Sequence, residues 1–206
     1  MSGNIYFFIA IVPSVVLHEV SHGFVANYFG DPTAKEHHRL TLNPLRHIDP
    51  FGTIILPALL IFAHFPVFGY AKPVPVNFSR LRKPRQQSLY VSLVGPLVNI
   101  LLAVIAYGVG KFALHINSVG LLNVGYYFGL VNLMLAAFNL LPIPPLDGSA
   151  IIERLVPNKN LPAYYRFRQM ALPLVFALVI LDSYAFHVGS HALTGLQNWW
   201  LNRLLF

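Results

Sequence analysis

Long apolar runs separated by short polar segments dominate this chain. The first run extends from Ile5 to Phe29, and two more lie at Leu89–Leu114 and Leu121–Leu141. Each contains about 20 or more residues, which is the length that crosses a bilayer as a helix. A last apolar run lies at Ala171–Phe186. The pattern predicts an all-α polytopic membrane protein with about four transmembrane helices.

Two further segments do not fit a simple span. Residues 51–68 form an apolar run of about 18 residues that contains Pro57 and Pro66, so it is marginal for crossing and favours a broken path. We expect either a short span or a possible re-entrant segment there. Residues 187–206 include Trp199 and Trp200 and predict a C-terminal amphipathic helix at the membrane interface.

Composition supports a single integral-membrane domain over residues 1–206. Hydrophobic residues make up 56% of the chain and charged residues 10%, whereas a soluble domain has about 25% charged residues. The net charge of +7 comes from basic residues between the apolar runs, which is typical of a topology signal and not of a nucleic-acid site. The chain contains no cysteine, which excludes disulfides and cysteine-bound metals. The first apolar run lacks a basic leader, so we do not expect a cleaved signal peptide.

The distribution of Lys and Arg discriminates between the two paths for residues 51–68. If the segment crosses, the basic residues divide nine to five between the two sides; if it returns, they divide twelve to two. The positive-inside rule favours the second division. It predicts that both Gly30 and Asp147 lie toward the cytoplasm.

The sequence HEVSH, residues 18–22, carries the chemistry. His18 and His22 are four residues apart and share one face of a helix, where two imidazoles can bind one Zn²⁺. Glu19 can then act as general base toward a zinc-bound water. The alternative is a chance match in a packed helix. Ionisable residues are costly inside a membrane and mark functional sites there, so we expect one zinc ion per chain.

A catalytic zinc takes three protein ligands, and the residues alone leave the third open. Asp147 follows the helix-breaking PIPP at the end of an apolar run, and unwound backbone at membrane depth is tolerated where it lines a cavity. Its alternative role is capping of the preceding helix. The other candidates lie in polar segments, where solvated or turn roles compete: Glu36, His37, His38, His47 and Asp49.

Several stretches together resemble the site-two protease family of zinc intramembrane metalloproteases. They are HEVSH, then GPLVN at residues 95–99, and NLLPIPPLDG at residues 139–148. HRLTLNPLRHIDPFGTIILP and GYAKPVPVN are similar to the compact prokaryotic branch of that family. The likeness covers about residues 10–155. Ser149 departs from it, because many members have a second glycine there.

The resemblance implies specific roles. It implies His18, His22 and Asp147 as zinc ligands, Glu19 as catalytic base, and a functional role for Asn139. Asn139 and Asn99 are side-chain amides in apolar runs, and either can donate to a developing oxyanion or hold two helices together.

We therefore expect a zinc metalloendopeptidase of the cell membrane that hydrolyses peptide bonds of transmembrane substrates in regulated intramembrane proteolysis. Its catalytic core would cover about residues 5–155, followed by a last span and an interfacial helix over residues 169–206. The expected partners are a transmembrane protein substrate and the lipid bilayer, not nucleic acid. Extended chain at Tyr70–Asn77 can pair with an unwound substrate as an added strand. Two rivals are a protease of prenylated proteins, with Glu153 as third ligand, and a metal transporter.

Overall fold

The computed structural model describes residues 3–65, 69–182 and 187–206, and within these ranges the chain forms helices and loops without a β-strand. The α-helices are α1 Gly3–Tyr28, α2 Thr33–Glu36, α3 Leu56–Phe62, α4 Pro84–His115, α5 Val119–Asn139, α6 Ser149–Leu155, α7 Leu161–Leu181 and α8 Val188–Leu205. Short 3₁₀ turns lie at Pro44–His47, Phe78–Arg80 and Asn158–Asn160, and a wider π-type turn at Pro50–Ile55 leads into α3.

Three helices form the central bundle. α1, α4 and α5 pack against one another, and each is long and apolar enough to cross a membrane. α7 bends by 53° next to Pro173, and its two halves make a fourth span if they are taken together. The described residues thus confirm an all-α multi-pass protein with three or four spans.

Small residues let the helices of the bundle approach closely. A Cβ atom added at Gly125 in α5 would lie 3.0 Å from both the Ala106 oxygen and the Gly110 Cα of α4. Such contacts are typical of membrane helices, where close packing replaces the hydrophobic effect between helices. Large apolar side chains such as Phe8 and Leu97 remain exposed on the outside of the bundle, as contact with lipid requires.

The chain on either side of residues 51–68, for which the sequence left both a span and a re-entrant path open, lies at the same end of the helix bundle. Its helical part covers Pro50–Phe62, about 20 Å long, which is short of the roughly 30 Å hydrocarbon core. The Tyr70 N–H then donates to the Gly52 carbonyl at 3.1 Å, and the Thr53 hydroxyl donates to the Tyr70 carbonyl at 2.9 Å. Residues 30–50 and 70–83 therefore lie at the same end of the bundle, which is the re-entrant geometry. Residues 66–68 of this segment lie outside the described residues.

The C-terminal helix is present, but part of it belongs to the core. Trp200 is 4% exposed and Leu204 is fully buried, both against α4 and α5. A Cβ atom at Gly129 or Gly110 would collide with these two side chains, so the glycines open the space that they fill. The predicted C-terminal helix is therefore present, and its last turns also contribute to the core.

The shared end of the re-entrant segment predicts the labelling of introduced cysteines. In sealed membranes, Thr41→Cys and Ser79→Cys should react with an impermeant thiol reagent from the same side. His115→Cys, in the last turn of α4, should react from the opposite side because α4 runs through the bundle. The chain has no cysteine of its own, so the background is zero. Opposite labelling of Thr41→Cys and Ser79→Cys would contradict the return of the segment.

Candidate metal centre

The end of α5 brings an acidic residue back to the middle of α1. Pro142, Pro144 and Pro145 stop the helix after Asn139, since proline cannot continue the backbone hydrogen bonds. The chain then turns back, and the Gly148 N–H donates to the Asn139 carbonyl at 2.7 Å. This turn places Asp147 beside HEVSH, although the two lie more than 120 residues apart in the sequence.

Three potential ligand atoms converge at this point. Asp147 Oδ2 lies 3.1 Å from His18 Nε2 and 3.4 Å from His22 Nε2. The two Nε2 atoms lie 3.1 Å apart. Both imidazoles are buried. Within the described residues, His18, His22 and Asp147 are the group of His, Asp or Glu side chains that lie close enough together to hold one metal ion.

The hydrogen bonds on the far side of each imidazole fix its tautomer. His18 Nδ1 lies 2.5 Å from Asn99 Oδ1, and His22 Nδ1 lies 2.6 Å from the Val91 carbonyl. Both partners are acceptors, so each Nδ1 carries the proton and each Nε2 presents a lone pair. Two lone pairs and a carboxylate oxygen then face each other in a buried space, an arrangement that a bound cation would stabilise.

The separations fit zinc. Tetrahedral ligand atoms at about 2.0–2.1 Å from Zn²⁺ lie roughly 3.4 Å from one another. The three observed separations, 3.1, 3.1 and 3.4 Å, are close to that value. Two imidazole nitrogens and one carboxylate oxygen are also a usual donor set for catalytic zinc, with one position left open.

A buried polar network supports His18 from behind. Asn99 and Asn132 are fully buried, and Asn99 Nδ2 donates to Asn132 Oδ1 at 2.8 Å. Asn132 Nδ2 in turn donates to the Ser14 hydroxyl and to the Phe128 carbonyl, both at 2.8 Å. The network links α1, α4 and α5, so the packing of the bundle sets the position of the His18 ring.

Glu19 contacts the extended segment that follows the re-entrant hairpin. Glu19 Oε2 accepts the Val74 N–H at 2.9 Å. Residues 69–77 are non-helical, as the prolines at 73 and 75 predict. The carboxylate is half-buried and belongs to the residue that follows His18, so the Val74 contact holds it on the same turn of α1 as that imidazole.

A glycine of α4 makes room for the two imidazoles. A Cβ atom built on Gly95 would lie 2.5 Å from His22 Nε2 and 2.7 Å from His18 Nε2. Any side chain here would enter the space between the ligand atoms. Gly95 is the first residue of GPLVN, but its direct contact with the imidazoles was not predicted.

The other candidates for the third ligand are engaged away from the centre. Asp49 accepts from the Gly52 N–H, and Glu36 pairs with Arg80. Glu153, the ligand required by the prenyl-protease alternative, pairs with Arg168. The remaining three residues are histidines in the polar segment after α1: His37 and His38 are exposed, and His47 Nε2 lies 2.9 Å from the Thr41 carbonyl.

The two asparagines singled out as donors differ in their surroundings. Asn139 is half-buried, and its Nδ2 donates to the Leu135 carbonyl of its own helix at 3.1 Å. Asn99 Nδ2 lies 2.8 Å from Asn132 Oδ1 and 3.5 Å from the Ser14 carbonyl. A donor role for Asn139 stays a prediction, whereas the arrangement of Asn99 is that of a residue that orients His18.

Comparison with known proteins identifies the family. The model of peptidase family M50 matches residues 6–181, and the chain belongs to this family, the site-two proteases. The chain is 45% identical over 161 residues to "Putative zinc metalloprotease YwhC" of Bacillus subtilis, an alignment that covers 74% of this chain and 69% of that protein.

Two more distant relatives carry similar names. The chain is 32% identical over 168 residues to "Putative zinc metalloprotease Rip2" of Mycolicibacterium smegmatis, covering 81% of this chain and 63% of that protein. It is 29% identical over 153 residues to "Zinc metalloprotease MJ0392" of Methanocaldococcus jannaschii, covering 74% of this chain and 34% of that protein. The chain thus spans less than two thirds of these two relatives. No solved structure matches the chain significantly.

The position of Gly95 predicts a selective loss of metal binding. Gly95→Ala should weaken zinc binding at least about tenfold, because its methyl group would displace both imidazoles. Gly108→Ala, in the same helix with nothing within 4 Å of the added Cβ, should bind zinc as the unchanged protein does. Zinc affinity measured by competition with a chelator compares the two. Equal affinity in both variants would contradict the assignment.

The Asn99 contact predicts a second effect on metal affinity. Asn99→Ala removes the acceptor of His18 Nδ1 and should weaken zinc binding about 10- to 100-fold, as loss of such partners does in other zinc sites. Asn99→Asp keeps an oxygen acceptor and should bind zinc more tightly than Asn99→Ala. A purely structural role would lower the melting temperature of both variants and leave their zinc affinities alike.

Proposed function

We propose that this chain is a zinc-dependent endopeptidase that hydrolyses peptide bonds of transmembrane proteins within the plane of the membrane. The observation that carries the proposal is the convergence of His18, His22 and Asp147 inside a bundle of apolar helices, with Glu19 on the same turn of α1 as His18. Family membership and the zinc metalloprotease names of the relatives support the same chemistry.

His18, His22 and Asp147 would hold the ion. When bound, Zn²⁺ lowers the pKa of a coordinated water to about 7 and polarises a scissile carbonyl. Glu19 accepts the proton of the attacking water and passes it to the leaving amine. The Val74 N–H fixes one oxygen of the Glu19 carboxylate and leaves the other for this proton transfer.

Asn99 and Asn139 have different parts in this proposal. A side-chain amide has two N–H groups, and both of those of Asn99 face acceptors in the core. We assign Asn99 to positioning His18. Asn139 uses one N–H on the Leu135 carbonyl, so its second can donate to the oxyanion that forms during hydrolysis.

A transmembrane helix has its backbone hydrogen bonds satisfied internally, so a substrate has to unwind before its amide can react. Strand addition to Tyr70–Asn77 would require free N–H groups on that segment. Pro73 and Pro75 have none, the Lys72 N–H donates to the His47 carbonyl, and the Val74 N–H donates to Glu19. Strand pairing at these positions therefore requires the Val74–Glu19 contact to break.

We further infer that the protein acts in the cell membrane in regulated intramembrane proteolysis, with one zinc ion per chain. The apolar spans support a membrane location, and the metal group described above provides for one ion. The transporter alternative requires several metal sites. Within the described residues, His18, His22 and Asp147 form the one group of three potential ligands, and Glu19, which a transporter would not need, lies between the two histidines in the sequence.

The test of the proposal separates the base from the ligands. Glu19→Gln should retain zinc and lose cleavage of a transmembrane substrate by several orders of magnitude, because it removes the base without removing a ligand. Glu36→Gln, at an exposed glutamate that ends α2, is the matched control and should cleave normally. Purified protein in lipid nanodiscs, assayed for zinc content and for products by mass spectrometry, gives both readouts. Near-normal cleavage by Glu19→Gln would refute the mechanism.

A further inference from the structure

Two adjoining cavities are lined by α1 and by the polar segment that follows it. One has a volume of about 480 Å³ and is lined by Lys35, Arg46 and His38. The other has a volume of about 470 Å³ and is lined by apolar side chains of α1. Leu40 and Thr41 line both, so the two cavities adjoin each other and together present a basic end and an apolar end.

The positive charge of the basic cavity is not neutralised by the chain. Three carboxylates occur in the same polar segment, and each is bound elsewhere. Asp31 accepts the Asn77 N–H at 2.6 Å, Glu36 forms an ion pair with Arg80 at 2.7 Å, and Asp49 accepts the Gly52 N–H at 2.7 Å. Among the described residues, neither Lys35 nor Arg46 forms an ion pair. The cavity therefore has the charge to bind an anion.

The apolar cavity is a groove that follows α1 into the hydrocarbon region. Its wall on α1 extends from Leu17 to Val25, which is about 12 Å along the helix axis, and Val98 of α4 forms the other side. Phe24 in this groove is 56% exposed and Leu42 at its end is 63% exposed, so both can contact a guest molecule. His18 and His22 line neither cavity, since Leu17 points about 100° away from His18 around the helix.

We propose that this surface binds an anionic phospholipid, with the phosphate headgroup in the basic cavity and an acyl chain in the groove. A soluble anion would not use the groove, and a zwitterionic lipid would gain less from two uncompensated cations. The bundle end that carries these residues also carries most of the Lys and Arg of the chain, which places it at the cytoplasmic leaflet. Anionic lipids attract basic pockets at that surface.

The headgroup end is tested by titration of the purified full chain with defined lipids. Phosphatidylglycerol and phosphatidylcholine with identical acyl chains are added in detergent, and bound lipid is counted by native mass spectrometry. Phosphatidylglycerol should bind more tightly. The double variant Lys35→Gln, Arg46→Gln should weaken its binding roughly 25-fold, because each basic residue contributes about a factor of five. The matched double variant Lys159→Gln, Arg166→Gln removes two exposed charges elsewhere and should bind as the unchanged protein does.

The acyl-chain end is tested by filling the groove. Val98→Phe should weaken phosphatidylglycerol binding at least about fivefold, whereas Val104→Phe, an exposed position of α4 outside the groove, should not. Glycerol phosphate, which has the headgroup without the chains, should not displace the lipid at equal concentration.

Three outcomes would overturn the proposal. They are equal binding of the two lipids, equal losses in the pocket variant and its matched control, and displacement of the lipid by glycerol phosphate or by an acidic peptide at equal concentration. Displacement by glycerol phosphate would make the cavity a general anion site, and displacement by the peptide would make it a protein-docking site.

Discussion

The constraint that shapes this structure is the close approach of three electron-rich side-chain atoms inside a bundle of apolar helices. Two imidazole Nε2 atoms and one carboxylate oxygen lie within 3.4 Å of one another, and the far side of each ring is committed to an acceptor. In a low-dielectric interior, unpaired polar groups cost several kcal/mol each. A bound divalent cation would offset this cost, so metal binding and the helix packing that builds the site would stabilise each other.

That constraint explains where the bundle is polar and where it is not. The fully buried polar side chains Ser14, Asn99 and Asn132 lie directly behind His18, one on each of the three central helices. Small residues elsewhere in α4 and α5 let these helices approach closely enough for the amides to meet. Gly148 likewise allows a close approach, here within the loop that follows α5. A Cβ atom there would lie 2.2 Å from the Leu140 carbonyl, so only glycine allows the tight return that carries Asp147.

The sequence predicts those parts of the site that are local. HEVSH sets the spacing of two candidate ligands and a candidate base on one helix, and the lengths of the apolar runs predict the spans. Residue patterns alone left Asp147 among several candidates, because its approach to α1 depends on a loop that starts at the end of another helix; the family resemblance selected it. The Asn99–His18 pair joins residues 81 positions apart, and the hydrophobic periodicity of the sequence does not predict such a contact. The packing of Trp200 and Leu204 was missed for the same reason, since it depends on gaps left by glycines on other helices.

The polar segment after α1 resembles a solvated loop in sequence, but in the structure it holds a neighbouring segment of the chain in position. The sequence predicts its charged and titratable residues to be metal ligands or solvent-exposed side chains. Their contacts show instead that several of them bind the backbone at residues 72–77. The His47 carbonyl accepts the Lys72 N–H, Arg39 donates to the Lys72 carbonyl, and Asp31 accepts the Asn77 N–H. Val74 lies between these anchors and directs its N–H at Glu19. The orientation of the Glu19 carboxylate, the proposed base, thus depends on this segment, so its polar residues can affect the site without contacting the three potential ligands.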